Sequence, residues 1–179
     1  MRVHILGASG SGTTTLGAAL AARTGAVHLD TDDYFWLPTD PPFETQRPMP
    51  ERLALLAADL DAASHFVLSG SFCGWGDPLA PRFELMVFLR VPTGVRLKRL
   101  VARERREFGA AALAPGGRMH ENHTAFLEWA AGYDAGDLEM RSLARHTAWL
   151  DRVRCPVLRF EGESSVDAQV ARVLAALGS

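Results

Sequence analysis

The stretch from Gly7 to Thr15 holds the residues best suited to chemistry, in the order Gly-Ala-Ser-Gly-Ser-Gly-Thr-Thr-Thr. It follows an apolar run of strand length and precedes an Ala/Leu-rich helical segment, as phosphate-binding loops do. Glycines let the backbone wrap an anion, and the start of a helix offers N–H groups and a positive dipole end. We therefore predict that nucleotide phosphates are held here by Gly7, Ser9, Gly10, Ser11, Gly12, Thr13, Thr14 and Thr15.

One position departs from the phosphate-loop pattern G-x-x-x-x-G-K-[ST], because Thr13 stands where the pattern has lysine. The next residue, Thr14, is at the position whose hydroxyl binds Mg²⁺, whereas the lysine normally bridges the β- and γ-phosphates. Loss of such a positioned charge costs about 3 to 4 kcal/mol. Either turnover is poor, or an arginine compensates. The candidates are Arg99, Arg103, Arg105, Arg106, Arg118, Arg141 and Arg145.

Carboxylates follow the second predicted strand, residues 26–29. They are Asp30, Asp32 and Asp33, and the aromatic residues Tyr34, Phe35 and Trp36 come next. Ligands of α/β proteins bind at the carboxyl ends of parallel strands, so these residues predict a lined pocket. The alternative is that the acids only serve a turn or a helix N-terminus, which they also favour.

Glycines and aromatic rings follow the third predicted strand, residues 65–69. Gly70 and Ser71 could let the backbone approach a ligand, and Trp75 could stack on a ring. The same glycines are equally typical of a tight turn. Three histidines, His120, His123 and His146, lack ligand spacing with neighbouring acids and are predicted to be caps or polar surface groups.

Apolar runs of strand length alternate with helical patterns, which predicts an α/β fold around a mostly parallel sheet. The other predicted strands are residues 2–7, 85–89 and 156–160. A proline-rich loop and a helix beginning near Pro50 have the size of a substrate-covering insertion, about residues 34–64. A short Ala/Gly-rich flap between arginine-bearing helices, about residues 107–120, is typical of a lid, although a mobile surface loop would look the same.

Composition limits the function classes. The 179 residues predict one domain, and a formal net charge of −2 argues against nucleic acid as a partner. Cys73 and Cys155 lie far apart, which indicates reduced thiols rather than a zinc site or disulfide framework. No apolar run approaches the roughly 18 residues of a membrane span. We expect a cytoplasmic protein without membrane partners, and the sequence leaves its oligomeric state open.

In this order of elements the chain resembles the P-loop small-molecule kinases of the adenylate kinase-like group. The resemblance implies a three-layer P-loop NTPase fold, with a five-stranded parallel sheet, helices on both faces, a substrate insertion after the second strand and a small lid after the fourth. Asp30-Thr31-Asp32 is similar to the D-x-D of shikimate kinases, and Asp32-Asp33-Tyr34-Phe35 to the D-[SD]-F-Y of uridine kinase-like enzymes. Both alignments place Asp32 at the acceptor hydroxyl, and the first implies that Asp30 orients Mg²⁺. Residues 69–73 lack the acid and the arginine of the adenylate kinase D-G-F-P-R segment.

Two hypotheses follow. The first is a kinase that uses ATP and Mg²⁺ to phosphorylate a nucleoside, a nucleotide or a polyol-like molecule. Thr14 and Asp30 serve the metal, Asp32 receives the acceptor's proton, and the charge of transfer is stabilised by Arg99, Arg103, Arg118 or Arg141. The acceptor is predicted to contact Asp33, Tyr34, Phe35, Gly70, Ser71 and Trp75. The second is a nucleotide-binding module with little turnover, because the lysine is absent.

Overall fold

The predicted strands form one parallel sheet. The structure is a computed structural model that describes residues 1–178, and its strand order is β2-β3-β1-β4-β5 with every pairing parallel. The strands are β1 (Arg2–Gly7), β2 (Val27–Asp30), β3 (Phe66–Ser69), β4 (Leu85–Arg90) and β5 (Val157–Glu161). The prediction of a P-loop fold with a five-stranded parallel sheet is confirmed.

Helices connect the strands and cover both faces of the sheet. They are α1 (Thr13–Thr24), α2 (Thr31–Phe35), α3 (Met49–Ala62), α4 (Thr93–Phe108), α5 (Ala110–Leu113), α6 (His120–Ala131), α7 (Leu143–Leu150) and α8 (Val166–Ala176), with a 3₁₀ helix at Asp77–Arg82. The predicted insertion region contains α2, an irregular segment and α3. The predicted lid region contains the end of α4, α5 and the turn that leads into α6.

Two apolar clusters lie on opposite faces of the sheet, because successive strand residues point to opposite sides. Val3 and Ile5 of β1 pack with α1 and α8 on one face. Leu6 of the same strand packs on the other face with α3, α7 and the rings of Phe72 and Trp149. This alternation explains why the strands are apolar at nearly every position.

A glycine marks the end of α1 and a proline marks the start of α3. Gly25, in the left-handed region at φ 71°, ends α1, and its N–H donates to the carbonyl of Ala21. Pro50 lies in the first turn of α3, where a missing N–H costs nothing.

The structure bears on two expectations from the sequence. The acidic segment after β2 is a five-residue helix, α2, whose N-cap is Asp30, so these acids do lie at a helix N-terminus. His146, expected at the surface or in a cap, is fully buried in α7. Within residues 1–178, no helix is long and apolar enough to cross a membrane.

Candidate active site

The phosphate-binding loop joins β1 to α1 at the carboxyl edge of the sheet. Gly12 occupies the N-cap position of α1 at φ 96°, a left-handed conformation that favours glycine, and no side chain caps the first N–H groups of the helix. Those N–H groups and the positive end of the helix dipole are suited to an anion. The buried hydroxyl of Ser11 also has no hydrogen-bond partner among the described residues.

The loop is held against α4. A Cβ atom at Gly10 would lie 2.7 Å from the carbonyl oxygen of Arg96, and the φ of Gly10 is +80°, so no other residue fits this approach well. Arg96 has no exposed surface, and its Nη1 donates to the carbonyls of Ser9 and Ala130, at 3.3 and 3.2 Å. Arg96 is therefore a buried anchor of the loop, although neighbouring charged residues of α4 are exposed.

Asp30, at the end of β2, connects the loop to the predicted acceptor site. Its Oδ2 accepts hydrogen bonds from the hydroxyls of Thr14, at 2.8 Å, and Ser69, at 2.9 Å. Its Oδ1 accepts one from the backbone N–H of Asp32, at 3.1 Å. The carboxylate is therefore fixed beside the hydroxyl that the sequence assigned to Mg²⁺.

Asp32 lies in the first turn of α2 with its side chain open to solvent. Neighbouring protein nevertheless desolvates its carboxyl, and this effect, with the negative charge of Asp30, raises its pKa. The positive charges of Arg141 and Arg103 act in the opposite direction. The structure therefore brings Asp30, Asp32 and these two arginines into one electrostatic cluster.

The other residues predicted to contact the acceptor are divided between surface and core. Asp33 is exposed, whereas the buried Tyr34 donates its hydroxyl hydrogen bond to Asp59, at 2.6 Å. The guanidinium of Arg52 lies over the ring of Phe35, 4.0 Å from the ring centroid. Arg52 is only 7% exposed, and sequence reasoning did not find it.

The segment after β3 contacts the end of β1, α2 and α7. A Cβ atom at Gly70 would lie 1.9 Å from Oγ1 of Thr31, so this glycine permits close packing on α2. Ser71 and Tyr133 share hydrogen bonds with the two ring nitrogens of His146, both at 2.8 Å. The indole of Trp75 donates to the carbonyl of Ser71, at 3.4 Å.

The predicted catalytic arginines lie in different surroundings. Arg99 forms an ion pair with Glu163, at 2.8 Å, and Arg118 forms one with Asp40 of the insertion, at 3.2 Å. The exposed Arg103 has its guanidinium 5.8 Å from the ring of Phe126. Arg141 reaches the loop itself, because its Nη2 donates to the carbonyl of Gly7, at 3.0 Å.

A cavity of about 350 Å³ separates the lid from the insertion. Its lining includes Glu44 of the insertion and Gly117, Arg118 and Asn122 from the other side. Asn122 donates to Glu44, at 3.4 Å, which adds a second contact to the Arg118–Asp40 pair. Both of these contacts between the predicted lid side and the predicted substrate insertion are made by polar side chains.

The parallel sheet, the loop before α1 and the acidic turn after β2 together define a P-loop fold. The chain matches the family described as AAA domain over residues 3–136, and it belongs to that family. It is also 49% identical over 177 residues to the protein YqaC of Bacillus subtilis (strain 168). The aligned residues make up 99% of this chain and 97% of that protein.

Solved kinase structures share the fold at low sequence identity. The shikimate kinase of Acinetobacter baumannii in complex with shikimate is 15% identical with a TM-score of 0.59, covering 98% of this chain and 91% of that one. The shikimate kinase of Bacteroides thetaiotaomicron is 18% identical with a TM-score of 0.59, covering 100% and 99%. These structures confirm the predicted P-loop fold, which this chain shares with solved small-molecule kinases.

Proposed function

We propose that this chain is an ATP-dependent kinase that transfers the γ-phosphoryl group to a hydroxyl of a small molecule. One observation carries the proposal. The hydroxyl of Thr14, in the phosphate loop, is hydrogen-bonded at 2.8 Å to Asp30, two residues before Asp32. A nucleotide-binding loop, oxygen ligands for a metal and a candidate base therefore come together at the carboxyl edge of the sheet, where ligands bind in this class of fold.

Mg²⁺ would be held by Thr14 and Asp30 together with the phosphates. Both side chains offer hard oxygen atoms, and Mg²⁺ commonly uses one or two protein ligands, keeping water for the rest. When bound, the ion would neutralise charge on the transferring phosphates. Across residues 1–178 no group of three or more His, Cys, Asp or Glu side chains could hold a metal ion.

Asp32 would accept the proton of the acceptor hydroxyl while that oxygen bonds to the γ-phosphorus and ADP leaves. Its desolvated carboxyl has a raised pKa, which makes it a stronger base than an ordinary aspartate. Its position in the first turn of α2 leaves the carboxyl open to a substrate entering from solvent.

Arg52 favours an acceptor with an anionic group. The guanidinium packs on Phe35, three residues after Asp32, and its Nε donates to the carbonyl of Arg47, at 2.9 Å. Within residues 1–178 no carboxylate forms an ion pair with Arg52, and its pKa is lowered by desolvation alone. A buried cation without a counter-ion is costly, so an anionic acceptor group would stabilise it. The shikimate bound to the Acinetobacter baumannii enzyme is a precedent for a small non-nucleotide acceptor in this fold.

A nucleotide-binding module with little turnover is the second candidate, and Thr13 is the observation that favours it. Under this candidate the loop binds ATP or ADP, but no group supplies the charge that phosphoryl transfer requires. Cytoplasmic location and the absence of nucleic-acid and membrane partners stay predictions under either candidate.

The two candidates are separated by ADP release in a coupled assay. Purified protein with Mg-ATP is offered nucleosides, nucleotides, polyols and hydroxy acids, each acid being paired with its neutral amide. The kinase proposal predicts acceptor-dependent ADP release at about 1 to 100 s⁻¹, with acids preferred over amides. Tight calorimetric binding of ATP with no transfer to any acceptor would instead support the binding module.

A further inference from the structure

The loop requires a cation that its own sequence does not supply. Thr13 is the first residue of α1 and carries no charge. The single lysine of the chain, Lys98, lies on the exposed side of α4. A substitute must therefore be an arginine whose guanidinium lies at the loop and keeps free donors for a phosphate.

Three arginines near the loop or the lid do not meet both conditions. Arg99 and Arg118 are held in ion pairs by carboxylates of other segments. Arg96 contacts the loop at Ser9, but its donors already serve the carbonyls of Val91, Ser9 and Ala130 and the hydroxyl of Thr93. It anchors the loop and has little capacity left for a ligand.

Arg141 meets both conditions. Its Nη2 donates to the carbonyl of Gly7, the first glycine of the loop, at 3.0 Å. Its Nε is buried and has no hydrogen-bond partner within residues 1–178. An arginine carries five N–H donors, so most of them remain available to phosphate oxygens.

The segment that carries Arg141 is fixed by its own contacts. The N–H of Leu143 donates to the carbonyl of Tyr133, at 2.9 Å, and Ser142 caps α7 by accepting from the N–H of Arg145, at 3.0 Å. A Cβ atom at Gly136 would lie 2.8 Å from the sulfur of Met140, so the turn before Arg141 is closely packed. Preorganised donors stabilise developing charge without a reorganisation cost.

We propose that Arg141, from the segment between α6 and α7, supplies the positive charge absent at Thr13 and binds the β- and γ-phosphates of the nucleotide. This inference rests on the proposed function and adds to it the group that makes transfer possible without the loop lysine. The charge then comes from a residue 134 positions away in the chain from the loop glycine that it contacts. The hydrogen bond to the Gly7 carbonyl keeps this guanidinium at the loop.

The experiment combines exchanges at positions 13 and 141, read by titration calorimetry with Mg-ATP, Mg-ADP and AMP. Replacing Arg141 with Met is expected to weaken ATP and ADP binding by about 10- to 100-fold and to leave AMP binding nearly unchanged. Adding Thr13→Lys to R141M is expected to restore most of the loss. Thr13→Lys alone should not raise ATP affinity, because the new lysine and Arg141 would then compete for the same position beside the phosphates. Arg23→Met, at the exposed far end of α1, is the matched control.

Two results would overturn the inference in a wild-type chain that binds Mg-ATP. One is an R141M variant that binds ATP as tightly as the wild type. The other is a single Thr13→Lys exchange that raises ATP affinity or kcat tenfold or more. Such a gain would mean that Arg141 does not supply the positive charge at the phosphates. If thermal melting shows that R141M does not fold, the single Thr13→Lys exchange still tests the inference, because a gain of tenfold or more contradicts it and no gain supports it. A wild-type chain that binds no nucleotide would contradict the proposed function itself.

Discussion

At the scale of single residues, the site depends most on Asp30. Its carboxylate accepts hydrogen bonds from Thr14, Ser69 and the N–H of Asp32, so it fixes the loop hydroxyl and the candidate base together. The sequence predicted the phosphate loop and the D-x-D segment because both have fixed spacing. It could not predict the contact between them, which requires β2 and α1 to meet.

The burial of three polar residues was not predicted from the sequence, although their spacing from apolar residues indicates it. Arg52 lies four residues before the buried Leu56, Arg96 four before Leu100, and His146 four before Leu150. Residues four apart share a helix face, so each polar residue lay on an apolar stripe. A charge within such a stripe is typical of a buried residue with a specific partner.

Replacing Asp32 with Asn tests the proposed base. The amide cannot accept the proton, so kcat with the best acceptor should fall by about 10²- to 10⁴-fold. ATP affinity should change little, because the loop is intact. The matched control is Asp151→Asn, which removes an exposed carboxylate paired with Arg159 at 3.6 Å. A D32N variant with wild-type kcat would remove Asp32 from the chemistry.

At the scale of elements, the carboxyl edge of the sheet is built by short connections. The strands were predictable from apolar runs. The end of α1 was predictable from Gly25, and the start of α3 from Pro50. Helix α2 has five residues, too few to show helical periodicity, so only the preference of acids for helix N-termini could indicate it. The partners of the arginines were not predictable, because they come from segments far apart in the chain.

The junction between β3 and α2 should tolerate only glycine at position 70. A Cβ atom there meets the hydroxyl of Thr31, and the φ of +95° strains any other residue. We expect Gly70→Ala to lower the free energy of unfolding by about 2 kcal/mol or more, measured by urea denaturation. Gly94→Ala is the control, because a Cβ atom at that position in α4 meets nothing within 4 Å. Equal stability of the two variants would contradict this account.

The contact between lid and insertion allows a test of Arg118 as a catalytic residue. Its ion pair with Asp40 is exposed, so Arg118→Ala should change the free energy of unfolding by less than about 1 kcal/mol. If Arg118 acts on the transferring phosphate, R118A lowers kcat whereas Asp40→Asn, which frees the arginine, does not. Equal kinetic effects of both substitutions would show that only the contact between the segments matters.

At the scale of the whole molecule, the order β2-β3-β1-β4-β5 places the ends of β1, β2 and β3 side by side. That order brings the phosphate loop, the acidic turn and the glycine-containing turn to one edge. The alternation of strands and helices predicts the parallel sheet. Only the assembled chain brings Arg141 to Gly7, and no local pattern encodes that contact.

Two buried histidines make the stability of the whole fold depend on pH. Burial lowers the pKa of His4 and of His146 from 6.5 to about 3. Between these two pH values the unfolded chain binds more protons than the folded chain. The free energy of unfolding that depends on the neutral histidines is therefore fully present above about pH 6.5 and is lost as the pH falls toward 3. Each histidine contributes a slope of up to about 1.4 kcal/mol per pH unit.

Urea denaturation at a series of pH values between 7.5 and 4.5 measures this slope. His146→Gln should be less stable at neutral pH but should lose less stability on acidification, because glutamine takes up no proton. A wild-type free energy of unfolding that stays constant down to pH 4.5 would contradict the burial of neutral histidines.

We propose that a loop without lysine still supports phosphoryl transfer to a small molecule. The most direct test of this proposal is to incubate the protein with Mg²⁺, γ-labelled ATP and a protein-free extract of cellular small molecules, and then to separate the labelled products. Wild-type protein is expected to move the label into a new acid-stable small molecule, whereas D32N and R141M are not. Label that remains in ATP, or that appears only as inorganic phosphate, would contradict it.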